Sequence, residues 1–153
     1  HLSTDTRMTH ADLLRDPARS GVYRLPEEAV WVARTAKTNR FAYWRIDLKK
    51  IEDKAGLLTA LAHALEFPDW FGGNWDALQD CLGDLSWTTA PGYVVVLEHC
   101  QGLATRARGD FKTLLEVLDA AADGWREQDV PFWVFVGGLS EGLRDFPQVD
   151  TGA

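Results

Sequence analysis

Residues 93–100, YVVVLEHC, form an unbroken apolar run of strand length, and a second such run, PFWVFVGG, occupies residues 131–138. A half-solvated strand alternates apolar and polar residues, whereas a run without alternation fits a strand covered on both faces, as in a parallel sheet. Between the two runs, residues 110 to about 128 set Phe111, Leu114, Leu115, Leu118, Ala122 and Trp125 along one helical stripe. Its length and position predict a crossover helix joining two parallel neighbours. The two apolar runs therefore decide the fold class, α/β with a small, largely parallel sheet packed with helices.

Working outward, RFAYWRIDL at residues 40–48 alternates apolar residues with Tyr43, Arg45 and Asp47, a strand pattern. Residues 53–67 place Leu57, Leu58, Leu61 and Leu65 at helical spacing with Asp53 as the cap and His63 on the wet face. Pro68 ends that helix, Gly72 and Gly73 permit a sharp turn, and Asn74 caps a second helix running to about Leu85. Its core stripe is Trp75, Leu78, Leu82 and Leu85. Further upstream, residues 22–25 read as a short strand, followed by a helix opened by Pro26, Glu27 and Glu28, although residues 29–33 could equally be a strand. The tail after Gly138 has only Leu139, Leu143 and Phe146 to bury and is expected to be a loosely packed end.

Length and composition fit one globular domain: 153 residues, 46% hydrophobic and 25% charged. No apolar run approaches the roughly 20 residues of a membrane helix, and the opening HLSTDTRMTHADLL lacks the pattern of a secretory signal. A cytoplasmic location is the expectation. Cys81 and Cys100 form neither a CxxC pair nor a zinc pattern with the four histidines, so two reduced structural thiols, no metal and no cofactor are expected.

The formal net charge is −7, and its distribution is uneven: no Lys or Arg lies between Lys54 and Arg106. That stretch holds Glu66, Asp69, Asp76, Asp80, Asp84 and Glu98, so nearly all the excess negative charge belongs to the middle third. Such a field repels nucleic acid and attracts a basic partner; the bland alternative is a solvated face kept for solubility. At about 100° per residue, Asp76, Gln79, Asp80 and Gly83 share one narrow helix face, away from Leu78 and Leu82. Gly83 would let a partner's backbone approach. Trp70 and Phe71 precede the helix beside the glycine pair, and aromatics next to unpaired carboxylates have the composition of a binding hot spot. Asp76 and Asp80 could bind Mg²⁺ or serve as acid and base, but catalytic loops of the GxGxxG, GxxxxGK[ST] and GxSxG kinds are absent.

The stretch FPDWFGGNWDALQDCL, residues 67–82, resembles the signature of the barstar family, intracellular inhibitors of secreted ribonucleases related to barnase. The similarity runs from about residue 40 to residue 136 and rests on Pro68, Gly72, Asn74, Asp76, Ala77, Leu78, Asp80, Cys81 and Leu82 at their spacings. The resemblance implies a three-stranded parallel sheet, here with an extra N-terminal edge strand, and an acidic helix whose carboxylates replace substrate phosphates in a ribonuclease active site. It implies no catalysis by the chain itself, a 1:1 complex with a basic ribonuclease toxin, no direct nucleic-acid or membrane binding, and a monomer when free. Carried across, Asp76 and Asp80 match the two helix carboxylates, Trp70 an aromatic contact, and Gly72 and Asn74 the shaping loop. Gln79 departs from the pattern at a position where barstar has Trp, and Gly73 where it has Glu; an acidic contact from the next helix aligns near Ala120, leaving Asp119 or Asp123 as substitutes. Trp87, in a longer loop at residues 84–92, is a further candidate contact, while Asp84 reads as a solvated helix end.

The expected organisation is an extension at residues 1–39 packed on the same domain, a barstar-like domain at 40–138 and a tail at 139–153. The leading function is an immunity protein or antitoxin that blocks a basic ribonuclease. The alternatives are a regulatory or assembly module of the same fold for another basic protein, and a metal-dependent hydrolase using Asp76 and Asp80.

Overall fold

Four parallel strands form one sheet in the order β1-β4-β3-β2, as described by a computed structural model covering residues 9–68, 72–139 and 142–146. In chain order the elements are α1 (His10–Leu14), a 3-10 turn (Pro17–Arg19), β1 (Gly21–Arg24), α2 (Val30–Thr38), β2 (Ala42–Asp47), α3 (Lys54–Ala64), α4 (Trp75–Asp84), β3 (Tyr93–Glu98), α5 (Gln101–Arg106), α6 (Arg108–Glu127) and β4 (Phe132–Val136). The two uninterrupted apolar runs are the two central strands, buried along nearly their whole length. The predicted N-terminal strand lies on the β4 edge, with Val22 opposite Val134.

Register explains how each face is built. Trp44, Val95, Val134 and Val22 form one row across all four strands and point into the larger core, under α3, α4, α5 and α6. The next row, Arg45, Val96, Phe135 and Tyr23, points the other way, where Val96, Phe135 and Tyr23 enter a second core closed by α1, α2 and Phe146, while Arg45, at the edge, is exposed and pairs with Glu98. Alternation along a strand thus sends successive residues to opposite layers, and both layers are covered. On the second face Trp133 donates its indole N–H to the Leu14 carbonyl at 2.8 Å, and His10 stacks on Trp31 at 3.7 Å.

Several expectations change. The helix expected from Pro26 begins at Val30, because Leu25 still donates its amide to Val136 on the sheet and residues 26–29 are used to leave the edge. The tail is not loosely packed over residues 142–146: Phe146 is buried, Arg24 donates its amide to the Arg144 carbonyl, and the Arg144 guanidinium lies 4.3 Å from the centre of the Tyr23 ring. Two short helices, α1 and α5, were not foreseen.

Candidate functional site

The acidic helix is built by its ends. Gly73 has φ +70°, in the left-handed region that a glycine enters without steric cost, and it turns the chain into Asn74. The Asn74 side chain then accepts the Ala77 amide at 2.8 Å, satisfying one of the donors a helix start leaves open. At the far end Leu85 closes the helix in left-handed conformation, its amide donating to Cys81. Between these caps Leu78, Cys81 and Leu82 are buried and Trp75 is half-buried, with the Lys54 ammonium 5.8 Å from its ring centre.

The opposite face carries Asp76, Gln79, Asp80 and Gly83, all exposed as the helical period requires. Among the described residues neither Asp76 nor Asp80 has an ion-pair or hydrogen-bond partner through its carboxylate. Asp84, one turn further on, accepts a hydrogen bond from Ser86 at 3.1 Å. The sign of the local field is read by the buried Cys81 thiol beneath: burial first, and then the Asp80 and Asp84 charges, push it up to about 11.

α4 is held in place by α6. The Trp125 indole donates to the Leu82 carbonyl at 2.8 Å, satisfying one of the acceptors that the last turn of α4 leaves open. The bond from Trp125 to Leu82 and the shared lining of one groove bring the last turns of α4 and α6 together. An open groove of ≈ 450 Å³ separates their last turns. Gln79, Asp80, Gly83 and Asp84 form one wall, and Ala120, Gly124, Trp125 and Gln128 form the other.

The remaining candidates divide. Gly72 is exposed at the head of the helix, while Trp70 lies outside the described residues. Trp87 is half-buried, donates its indole N–H to the Leu65 carbonyl at 3.1 Å and meets Phe67 edge-on, so it braces the chain entering the loop from below. Neither Asp119 nor Asp123 lines the groove where Ala120 does, and Asp123 is paired with Arg126. Beside Gly73 an apolar recess of ≈ 480 Å³ opens against Leu58, Thr59 and His63 of α3. Sequence reasoning missed that Asp84 and Gly124 share a groove; the signal was the pair of helices preceding adjacent parallel strands, but their register requires the tertiary structure.

Among the described residues no group of three His, Cys, Asp or Glu is placed to hold a metal ion. His99 bonds Asp47 at 2.9 Å, away from the buried Cys100 thiol, which burial drives to about 12. No helix of the described residues is long and apolar enough to cross a membrane.

The sequence profile of one family, Barstar (barnase inhibitor), matches residues 41–137. No curated protein matches the chain.

Proposed function

We propose, because the chain belongs to the barstar (barnase inhibitor) family, that it is a protein inhibitor which binds a basic ribonuclease and covers its active site with α4 and the loop before it. The observation that carries this reading is the exposed Asp76/Asp80 face, which has no cation of its own among the described residues and sits on a helix capped at both ends. A ribonuclease cleft holds cations arranged for phosphodiester, and two carboxylates one helical turn apart offer the same charge on a rigid support. The partner's cations would then replace water around Asp76 and Asp80, forming charge-assisted hydrogen bonds in a site from which water is excluded.

The other candidates take supporting roles. Gly72 and Asn74 set the path of the loop, Trp70, a few residues before Asp76 in the sequence, supplies an aromatic contact to the partner, and Gly83 lets the partner's chain approach. Gln79 contributes an uncharged hydrogen-bonding group on the same face, and Trp87 braces Leu65 and Phe67, the chain that leads into the loop. The chain itself performs no chemistry in this mechanism and needs no cofactor. Inhibition arises because one protein occupies the space that RNA would enter.

Mixing the protein with a barnase-like ribonuclease tests the reading. Cleavage of an RNA substrate should fall in proportion to added protein and stop at one equivalent. RNA cleavage that continues at saturating protein, across basic ribonucleases of this kind, rejects the inhibitor reading in favour of a module for another basic protein.

A further inference from the structure

We infer that the α4–α6 groove is a receptor for one arginine side chain of the partner, and that Asp84 is the residue that determines this specificity together with Asp80. The inference rests on the partner being a basic protein and adds a second contact to the Asp76/Asp80 face. Asp84 belongs to it because of tertiary structure: it lines the groove with Asp80, one turn before it, on the same wall.

Three features of the groove select a cation. The last turns of both helices line it, so the partial negative charges of both C-terminal ends lie close to it. Asp80 and Asp84 add two full charges to that end, and α4 has no basic residue in its last turn. Arg126, the base in the last turn of α6, is engaged elsewhere, with Asp123 and the Ser20 carbonyl. The opposite wall is free of acids, being formed by Ala120, Gly124 and Gln128 over the buried Trp125, so nothing on it competes with Asp80 and Asp84 for the position of the charge.

Shape and spacing narrow the cation to a guanidinium. Carboxylates four residues apart on a helix have their Cβ atoms about 5–6 Å apart, a span that the flat five-donor fork of arginine bridges and a compact ammonium does not. Room for the stem comes from Gly83 and Gly124, at each of which an added Cβ would meet no atom within 4 Å. With Ala120 on the facing wall, where Asp119 and Asp123 do not reach, the acid that completes the contact comes from the end of α4.

The test titrates the intact chain with n-butylguanidinium and, separately, n-butylammonium, following backbone amide and indole N–H shifts by NMR. Saturable shifts are expected at Gly83, Gly124 and the Trp125 indole, with the guanidinium the tighter ligand. Asp84→Asn should raise the half-saturation concentration about fivefold or more, as loss of a charge-assisted bond does, while Asp119→Asn, the same charge change on the far side of α6, should leave it unchanged. Gly124→Leu should fill the groove and abolish the shifts without loss of thermal stability, since leucine favours a helix and its Cβ meets open space. No shift at these groups, equal binding of the ammonium, or an Asp84→Asn titration matching the wild type overturns the proposal. Guanidinium binding that persists in a chain inhibiting no ribonuclease would support the groove and reject the inhibitor reading; inhibition with no guanidinium titration would do the reverse.

Discussion

Asp80 stands between Asp76 and Asp84 at intervals of four residues, so in the free chain it is repelled from both sides along the helix. Replacing it with alanine should therefore leave the melting temperature unchanged or slightly higher, while weakening ribonuclease binding by about 2 kcal/mol or more, the scale of a hot-spot truncation. Calorimetric titration beside a thermal melt separates the two effects, and a parallel loss in both would make Asp80 structural. Asp47 behaves differently. The Lys49 amide and then the His99 ring hold its carboxyl below its usual value of 3.8. A depressed folded-state value means that the stabilisation is fully present above 3.8 and is lost as pH falls through the lower folded value. Urea midpoints measured from pH 6 to pH 2 should show the wild type losing stability below pH 4 more steeply than Asp47→Asn, and the variant weaker at neutral pH.

At the scale of elements, one bond ties the end of α4 to α6. Trp125→Phe keeps most of the ring but leaves the Leu82 carbonyl without its indole donor, and should cost about 1–3 kcal/mol in urea unfolding, the penalty for an unmet buried acceptor. Elements of this kind were legible in sequence where period and cap agree. Asp53 and Asn74 accept the Gly56 and Ala77 amides as their positions predict, and the apolar runs became the central strands. Short elements were not legible. α5 buries only Leu103, too little to set a period, and α1 has five residues, although Thr9 and Asp12 form a reciprocal capping pair that the T-x-x-D spacing already announces. The acidic face of the site could be read from 3.6 residues per turn alone. The groove could not, because it depends on which residues of α6 face Asp80 and Asp84, and the brace from Trp87 to Leu65 depends on a loop without periodicity.

For the whole molecule, the family match at residues 41–137 and the folded unit differ in extent. Val94, Val96, Trp133 and Phe135 are almost completely buried, and apart from Phe41 and Tyr43 the cluster around them comes from α1, α2, Tyr23, Leu25 and Phe146, all outside the match. A chain cut to residues 41–137 should bind a hydrophobic dye and lose its cooperative melt, whereas the intact chain stays dye-silent. A truncated chain that melts cooperatively and excludes dye would show that the second face needs no such cover. Long-range attraction adds a property of the entire charge distribution: the association rate with a basic ribonuclease should fall as salt rises, since the screening length shortens to about 8 Å at 0.15 M.

The buried Cys81 thiol turns the binding helix into its own reporter. With its ionisation near 11, the sulfur reacts only when α4 lifts from the core, so the rate of alkylation at pH 8 measures how often that lifting occurs. Cys100, equally buried but just past β3 and not on α4, supplies an internal clock for wider opening. A partner seated on α4 should slow labelling at Cys81 more than at Cys100, giving its affinity from mass spectrometry without any measurement of RNA cleavage.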